Sequence, residues 1–414
     1  VSTLLSTVMD ETLDNDEQTA GPLVGMRVLE LGTMLAGPFC GTMLADFGAE
    51  VIKVEKPGSP DALRQWPPFK DGEELLWRSM ARGKRVITLD ISRPDGRDLA
   101  MDLIGRSDIV IENFRPGTME RWGLEPASLA AAEGGAVWVR VSGYGQSGPM
   151  SGGGGYATIA ECFAGLASFS GYADRGPMVS SFPMADYLAG IFSAFGALAA
   201  LEERRRSGRG QVVDTALYEP LLRIIETAVL RWDQTGEMKQ RVGNQMQEDV
   251  PRNVYATRDG GHVALSIGSD RLFQALLDGM QRPDLKDDER FTTMANRIRH
   301  RDIIDAEVAK WFGENETETV LETMGRHRVI VGKVHDMADV FDDTHICARE
   351  MIAEIAEPLL GTLKMPAPVP KLSRTPGKIR WAGKPMGSDN DHVYRHLLGI
   401  PEDRIRALGS DGII

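Results

Sequence analysis

The 414-residue sequence predicts an α/β fold with a large domain on a parallel sheet, a smaller α+β domain, and a C-terminal strap returning to the large domain. Three observations predict it. From Met26 onward, short apolar runs alternate with helical ones, which implies a parallel sheet covered on both faces. The runs are continuously apolar, as strands buried on both sides require. From about His335 the chain becomes proline-rich, with "KMPAPVPKLSRTPGKIRW", which suits an extended strap.

The strands in order are "MRVLEL", "AEVIKVE", "RVITLD", "DIVIENF" and "AVWVRVSGYG". Between them lie an Ala/Gly-rich helix after Pro38, a helix from Pro94 to Ile104 and a helix near Thr118, so the region is Rossmann-like. "SFPMADYLAGIFSAFGALAALEERRRSGRG" is an apolar helix opened by Asp186, a good N-cap residue type. "SGRGQVVDTALYEPLLRIIETAVLRW" then reads as a turn, a short extended piece and a long helix. "RNVYATRDGGHVALSIG" has hairpin character around Asp259-Gly260-Gly261, and helical patterns follow at Asp270 to Met280 and Asp302 to Phe312. A last helix is expected around His392 to Leu398. The domain reading is a mobile acidic tail over 1–22, a large domain over 23–225, a linker helix and small domain over 226–335, and the strap over 336–414.

Composition narrows the function. With 42% hydrophobic and 26% charged residues the chain is an ordinary globular protein. A net charge of −13 argues against a nucleic-acid partner, so an anionic ligand needs a local cluster of Lys and Arg. The three cysteines and seven histidines show no metal-ligand spacing, and a reducing cytoplasm without a bound metal is expected. The first residues lack the basic start of a signal peptide. The apolar stretch from Tyr187 to Leu201 falls short of the roughly 18 residues that a membrane span needs.

A dinucleotide site is disfavoured. Glu55 ends the second strand where a ribose-binding acid would sit, but Gly32, Gly37 and Gly41 lack the close spacing that lets a backbone approach a pyrophosphate. Glu55 is then a solvated strand-end acid or an ion-pair partner.

Four stretches, in order, carry a resemblance: "GMRVLELGTMLAGPFCGTMLADFGAEVIKVEKPG", "GKRVITLDI", "DIVIENFRPGTMERWGL", and the segment from "SGYGQSGP" through "GGGGY" to "PMADYLAGIFSAFGALAALEERRRSGRGQ". Together they resemble the family III (CaiB/BaiF-type) coenzyme A transferases, the group of formyl-CoA and carnitine CoA transferases. The resemblance implies that Asp186 is the nucleophile and that CoA passes from an acyl-CoA to a carboxylic acid through mixed-anhydride and aspartyl-CoA thioester intermediates. It also implies an interlocked homodimer. A helix start suits that aspartate, because free amides there favour an ionised carboxylate. A dicarboxylate donor such as succinyl-CoA fits the family, although no basic residue can be tied to its free carboxylate.

The phosphates of CoA give the missing cations a task. Lys56, Lys84, Arg85, Arg115 and Arg121 lie in family-like motifs, with Lys56 and Arg121 the strongest candidates for the nucleotide end. Asn113 is a site-facing polar residue or a turn former. Met34, Ala36 and Thr118 are placed to flank the cofactor. Departures from formyl-CoA transferase mark the acceptor pocket: Thr33 and Leu35 replace a histidine and a glutamine, Ala157 replaces an acid, and Glu161 stands where a glutamine is usual. Glu161 is a pocket acid or a structural glutamate, and Tyr156 fits the family. Gly152 to Gly155 form a mobile loop or a plain turn.

Two other readings stay open. A 2-methylacyl-CoA racemase shares the fold, but its pattern has a histidine where this chain has Tyr156, and tyrosine is a weak acid at neutral pH. A non-catalytic CoA-binding protein is the other, suggested by the altered Thr33, Leu35 and Ala157 positions.

Overall fold

The computed structural model describes residues 21–414. The expected acidic tail lies outside the described residues, apart from Gly21 and Pro22. The chain divides into two compact units: residues up to 164 with 180–224 and 347–414, and residues 165–179 with 225–346.

The first unit is built on β1 (Arg27–Glu30), α1 (Ala36–Asp46), β2 (Glu50–Glu55), β3 (Lys84–Thr88), α2 (Pro94–Ile104), β4 (Ile109–Glu112), α3 (Thr118–Arg121), β5 (Val137–Ser142), α4 (Ala157–Phe163), α5 (Met184–Ser207) and β6 (Val212–Ala216). The sheet order is β3-β2-β1-β4-β5-β6, with every pair parallel. The five strands expected from apolar runs are present, and the short extended piece after α5 is the sixth. The chain steps outward from β1 to β3 and then returns to lay β4 beside β1. This reversal is the switch point at which Rossmann-type sheets bind ligands, beyond the C-terminal strand ends.

Residues 218–232, expected as one long helix, form two, Tyr218–Ile224 and Glu226–Thr235, with a break at Ile225. Helix α5 corrects the sequence reading of its length. Among the described residues it is the one helix long and apolar enough to cross a membrane. Its small-residue face, with Ala189, Gly190, Ser193, Ala197 and Ala200, is buried, and it packs on α1, β5 and β6 as a core helix does.

The C-terminal segment returns to the first unit and closes the open edge at β3. Asp389 accepts the Val86 amide at 2.8 Å and donates its own amide to the Val86 carbonyl at 3.0 Å. Asn390 accepts the Thr88 amide at 2.9 Å, and Trp381 donates to the Lys84 carbonyl at 2.9 Å. An exposed row of edge amides is thereby covered by side chains instead of another strand.

The second unit holds a three-stranded antiparallel sheet of β7 (Arg252–Ala256), β8 (His262–Ser266) and β9 (Val331–Lys333). Helices at Asp270–Gly279, Arg301–Glu314 and Thr317–Arg326 supply Phe273, Ile304, Phe312, Val320 and Met324 to its core. The strap reading missed a hairpin in the first unit, β10 (Ile352–Glu357) with β11 (Gly361–Pro366). Prolines masked it, although Pro366 stands at a strand end, where proline is tolerated.

Beneath α1 the first unit buries charge. Lys84 Nζ donates to Glu30 Oε2 and to the Pro38 carbonyl, both at 2.7 Å, and none of these side chains is appreciably exposed. Gly41 of α1 makes room: a Cβ there would lie 1.9 Å from Glu30 Oε2. Gly41→Ala should therefore dislodge that carboxylate from Lys84 and cost about 3 kcal/mol or more. Urea denaturation checks this, and a loss no larger than the ~1 kcal/mol of an ordinary surface change would contradict the packing described.

Candidate active site

Helix α5 begins at Met184 with Pro183 as its N-cap, so Asp186 is in the first turn and is not the cap. Pro183 supplies no side-chain cap to this end. Three residues later Tyr187-to-Gly190 brings the helix against α1. The Tyr187 ring meets Phe39 edge-on at 4.8 Å. Gly190 is placed so that a Cβ would lie 2.9 Å from the Ala36 carbonyl and 3.1 Å from Phe39 Cβ. Asp186 is one turn before Gly190 on the same side of α5, because residues four apart share a helix face. The start of α5 therefore lies against the start of α1, next to the turn that leaves β1.

Asp186 is half-buried and has no hydrogen-bond or ion-pair partner among the described residues. Burial pushes its carboxyl up to about 6 from the ordinary 3.8. The helix start favours the ionised form, yet desolvation prevails in direction. At neutral pH the group is still mostly ionised, and it is more basic than a free aspartate.

The turn between β1 and α1 sits at the switch point and is held by side chains. Asn113, just past β4, accepts the Thr33 amide at 2.7 Å and donates to the Thr33 carbonyl at 2.7 Å. Met34 has φ of 65°, in the left-handed region, and its amide donates to Asp61 at 3.0 Å. Ala36 is the first residue of α1 and is buried.

The predicted cations separate into two groups. Lys56, Arg115 and Arg121 follow the C-terminal ends of β2 and β4 and are solvent-exposed. Lys56 pairs with Asp90 at 3.2 Å with its side chain 54% exposed. Arg121 donates to the Thr118 hydroxyl at 2.8 Å. Arg115 lies over the turn of residues 152–155, its Nη2 3.3 Å from where a Cβ on Gly154 would be.

Lys84 and Arg85 are a correction. They open β3 and both are buried; the Lys84 ammonium is taken up by Glu30 and the Pro38 carbonyl. Arg85 pairs with Glu50 at 3.2 Å and Asp389 at 3.5 Å. Neither is placed to meet a cofactor's phosphates.

The pocket residues also divide. Thr33 is partly exposed in the turn, whereas Leu35 is core, packed with Leu63, Trp77, Met80 and Val86, so it is corrected from a pocket wall to a packing residue. Tyr156 precedes α4 with 76% of its surface exposed on this chain. Ala157 is the buried first residue of α4. Glu161, also buried, accepts the Ser180 amide at 2.8 Å, tying down the segment that leads into α5.

Glu55, an ion-pair partner rather than a solvated acid, is buried against Arg64 at 2.8 Å. Sequence reasoning passed over Lys53 and Asp61, which carry the Met34 turn. Lys53 stands inside an apolar strand, and a lysine there requires a buried partner.

A parallel sheet in the order 3-2-1-4-5-6, with a turn, a helix start and exposed cations gathered at its switch point, defines a ligand-binding α/β unit of the Rossmann type. The chain belongs to CoA-transferase family III, which matches residues 23–390, and it is a CoA-transferase. It is 40% identical over 394 residues to a succinyl-CoA–D-citramalate CoA-transferase of Chloroflexus aurantiacus, spanning 95% of this chain and 98% of that one. It is 38% identical to the beta subunit of a succinyl-CoA–L-malate CoA-transferase from the same organism, spanning 96% and 99%. The crystal structure of a CAIB/BAIF family protein from Brucella suis superposes with a TM-score of 0.81 at 28% identity, covering 91% of this chain and all of that one.

The raised Asp186 carboxyl has a consequence for stability. The folded chain binds this proton more tightly than the unfolded chain, so ionisation costs stability as pH rises from about 4 to about 6. Asp186→Asn removes that cost. It should be more stable than the natural chain at pH 7 by up to about 3 kcal/mol, with the difference gone near pH 4. Urea denaturation at the two pH values checks this; equal stabilities at pH 7 would show the carboxylate to be well solvated.

Proposed function

We propose that this enzyme moves CoA from succinyl-CoA to a small dicarboxylic acid, with Asp186 as the nucleophile. The observation that carries the reading is Asp186 itself: a half-buried carboxylate at a helix start, without a partner among the described residues and raised to about 6 by burial. Charged groups used for structure are paired, as Glu30, Asp61 and Glu55 are. A carboxylate kept unpaired against its desolvation cost is what covalent catalysis needs.

The steps balance without a proton transfer. The Asp186 carboxylate attacks the thioester carbonyl, and the C–S bond breaks to release CoA thiolate and leave a mixed anhydride. The thiolate attacks the aspartyl carbonyl, expels the donor carboxylate and forms an aspartyl-CoA thioester. The acceptor carboxylate attacks that thioester, again releasing thiolate. The thiolate then takes the acceptor acyl group and frees Asp186. Amides at the start of α5 and of α1 are suited to the oxyanions that form. Lys56, Arg115 and Arg121 are the exposed cations placed for the phosphates of the CoA substrate, with Met34, Asn113 and Thr118 around the same strand ends. Thr33, Tyr156 and Glu161 belong to the acyl and acceptor side in this reading.

The relatives' named substrates, D-citramalate and L-malate with succinyl-CoA, support a dicarboxylate on both sides of the exchange. We place the enzyme in the cytoplasm as an interlocked homodimer. Cys40 and Cys162 stand outside any disulfide among the described residues, in keeping with a reducing compartment. Ile159, Phe163, Phe192, Phe195 and Leu198 are exposed on α4 and α5, an apolar surface suited to a second copy.

Protein treated with succinyl-CoA should carry a CoA adduct on Asp186 in peptide mass spectrometry. Asp186→Asn should lose transfer roughly a thousandfold or more while retaining CoA binding. Retained turnover in that variant would pass the nucleophile role to another carboxylate, Glu161 first. Deuterium incorporation at the α-carbon of a 2-methylacyl-CoA, with no exchange across a panel of acids, would establish the racemase reading instead.

A further inference from the structure

In β2, Lys53 occupies an apolar strand with 1% of its side chain exposed. An ammonium in that position must have all its bonds met. Its Nζ donates to Asp61 Oδ2 at 2.8 Å and to the Gly32 carbonyl, with Glu30 Oε1 at 3.5 Å. Asp61 is buried and uses both oxygens, Oδ1 accepting the Leu63 amide at 2.9 Å and the Met34 amide at 3.0 Å. Its own amide donates to Glu55 at 2.8 Å, and Glu55 is fixed by Arg64. Asp61 is thus held on several sides, and through the Met34 amide it fixes the turn after β1.

Met34 is the stressed residue of that turn. At φ of 65° a side chain with a Cβ crowds its own backbone, so the conformation needs an outside hold. Immediately after it the chain enters α1, whose first carbonyl, Ala36 O, lies against Gly190, one turn beyond Asp186. The hand of residue 34 therefore decides where the start of α1 stands relative to the start of α5.

We propose that Asp61 is a positioning residue of the transfer reaction: by holding the Met34 amide it keeps the turn in its left-handed form and so aligns the start of α1 with Asp186. This rests on Asp186 being the nucleophile. Asp61 touches no substrate and acts through the backbone of Met34.

A double-variant comparison tests it, because glycine adopts the left-handed region without an anchor. Asp61→Ala, which removes both acceptor oxygens, should lower kcat about tenfold or more while KM for succinyl-CoA stays within about threefold, as expected when alignment and not binding is lost. In a Met34→Gly background the same substitution should cost less than about threefold, because the conformation no longer needs holding. Equal losses in the two backgrounds, or no loss in the first, would overturn the proposal. If circular dichroism shows that Asp61→Ala does not fold, Met34→Val and Met34→Gly decide instead by comparison with each other. Met34→Val should turn over about tenfold more slowly than Met34→Gly, since only valine resists the left-handed form; equal kcat in the two overturns the proposal. The CoA adduct on Asp186 of the natural enzyme is read separately: its absence removes the nucleophile reading, while the kcat comparison still decides the role of Asp61.

Discussion

Everything near the switch point depends on charges buried between the sheet and α1. Glu30 ends β1, Lys53 lies across from it in β2, and Lys84 reaches beneath α1 from the start of β3. Desolvating such groups costs several kcal/mol each, and close pairing with opposite charges offsets it. The pairs therefore allow few alternative arrangements. Gly41 must be small for Glu30 to reach Lys84, Pro38 must offer its carbonyl, and Asp61 must fold back over β2 to meet Lys53. Apolar residues in the same volume would tolerate sliding of α1; these do not.

Against that background Asp186 is an exception. The same unit that pairs its buried acids leaves this one half-covered and without a partner among the described residues, at the start of a helix whose next turn is pressed on Ala36. The helix start and the burial act in opposite directions on its proton, and their compromise leaves a basic but ionised carboxylate at neutral pH. That is a costly state for a folded protein and a useful one for attack on a thioester.

How much was legible depended on the kind of signal. The strands were readable because sheets buried on both faces need continuous apolar runs, and "VIKVE" and "VWVRV" retain them despite two charges in the first and one in the second. Asp186 was singled out only through the family pattern, because an acid at a helix start is commonplace. Lys84 and Arg85 were misassigned for a physical reason: a basic pair beside a strand looks the same whether solvated or buried, and here Lys84 is spent on Glu30 and the Pro38 carbonyl and Arg85 on Glu50 and Asp389. Leu35 was misjudged because a residue beside a ligand turn can face the core, which local sequence does not reveal. Lys53 was the missed signal. A lysine within an apolar strand announces a buried acid elsewhere, but its partner, in "PGSPD", sits in a loop that composition alone marks as ordinary.

The closing of the β3 edge by Asp389 and Asn390 has a consequence for biosynthesis. The residues that finish this edge follow it by some 300 positions in the chain. While the ribosome is still extending the polypeptide, the sheet waits with its outer row of amides unpaired. That row is a ready template for another nascent strand, and the contacts that end the hazard are among the most distant in sequence that the protein makes. Chaperone holding until residues 389 and 390 emerge, or a slow docking step once they have, is the natural companion of a fold whose seam is closed by residues so far along the chain.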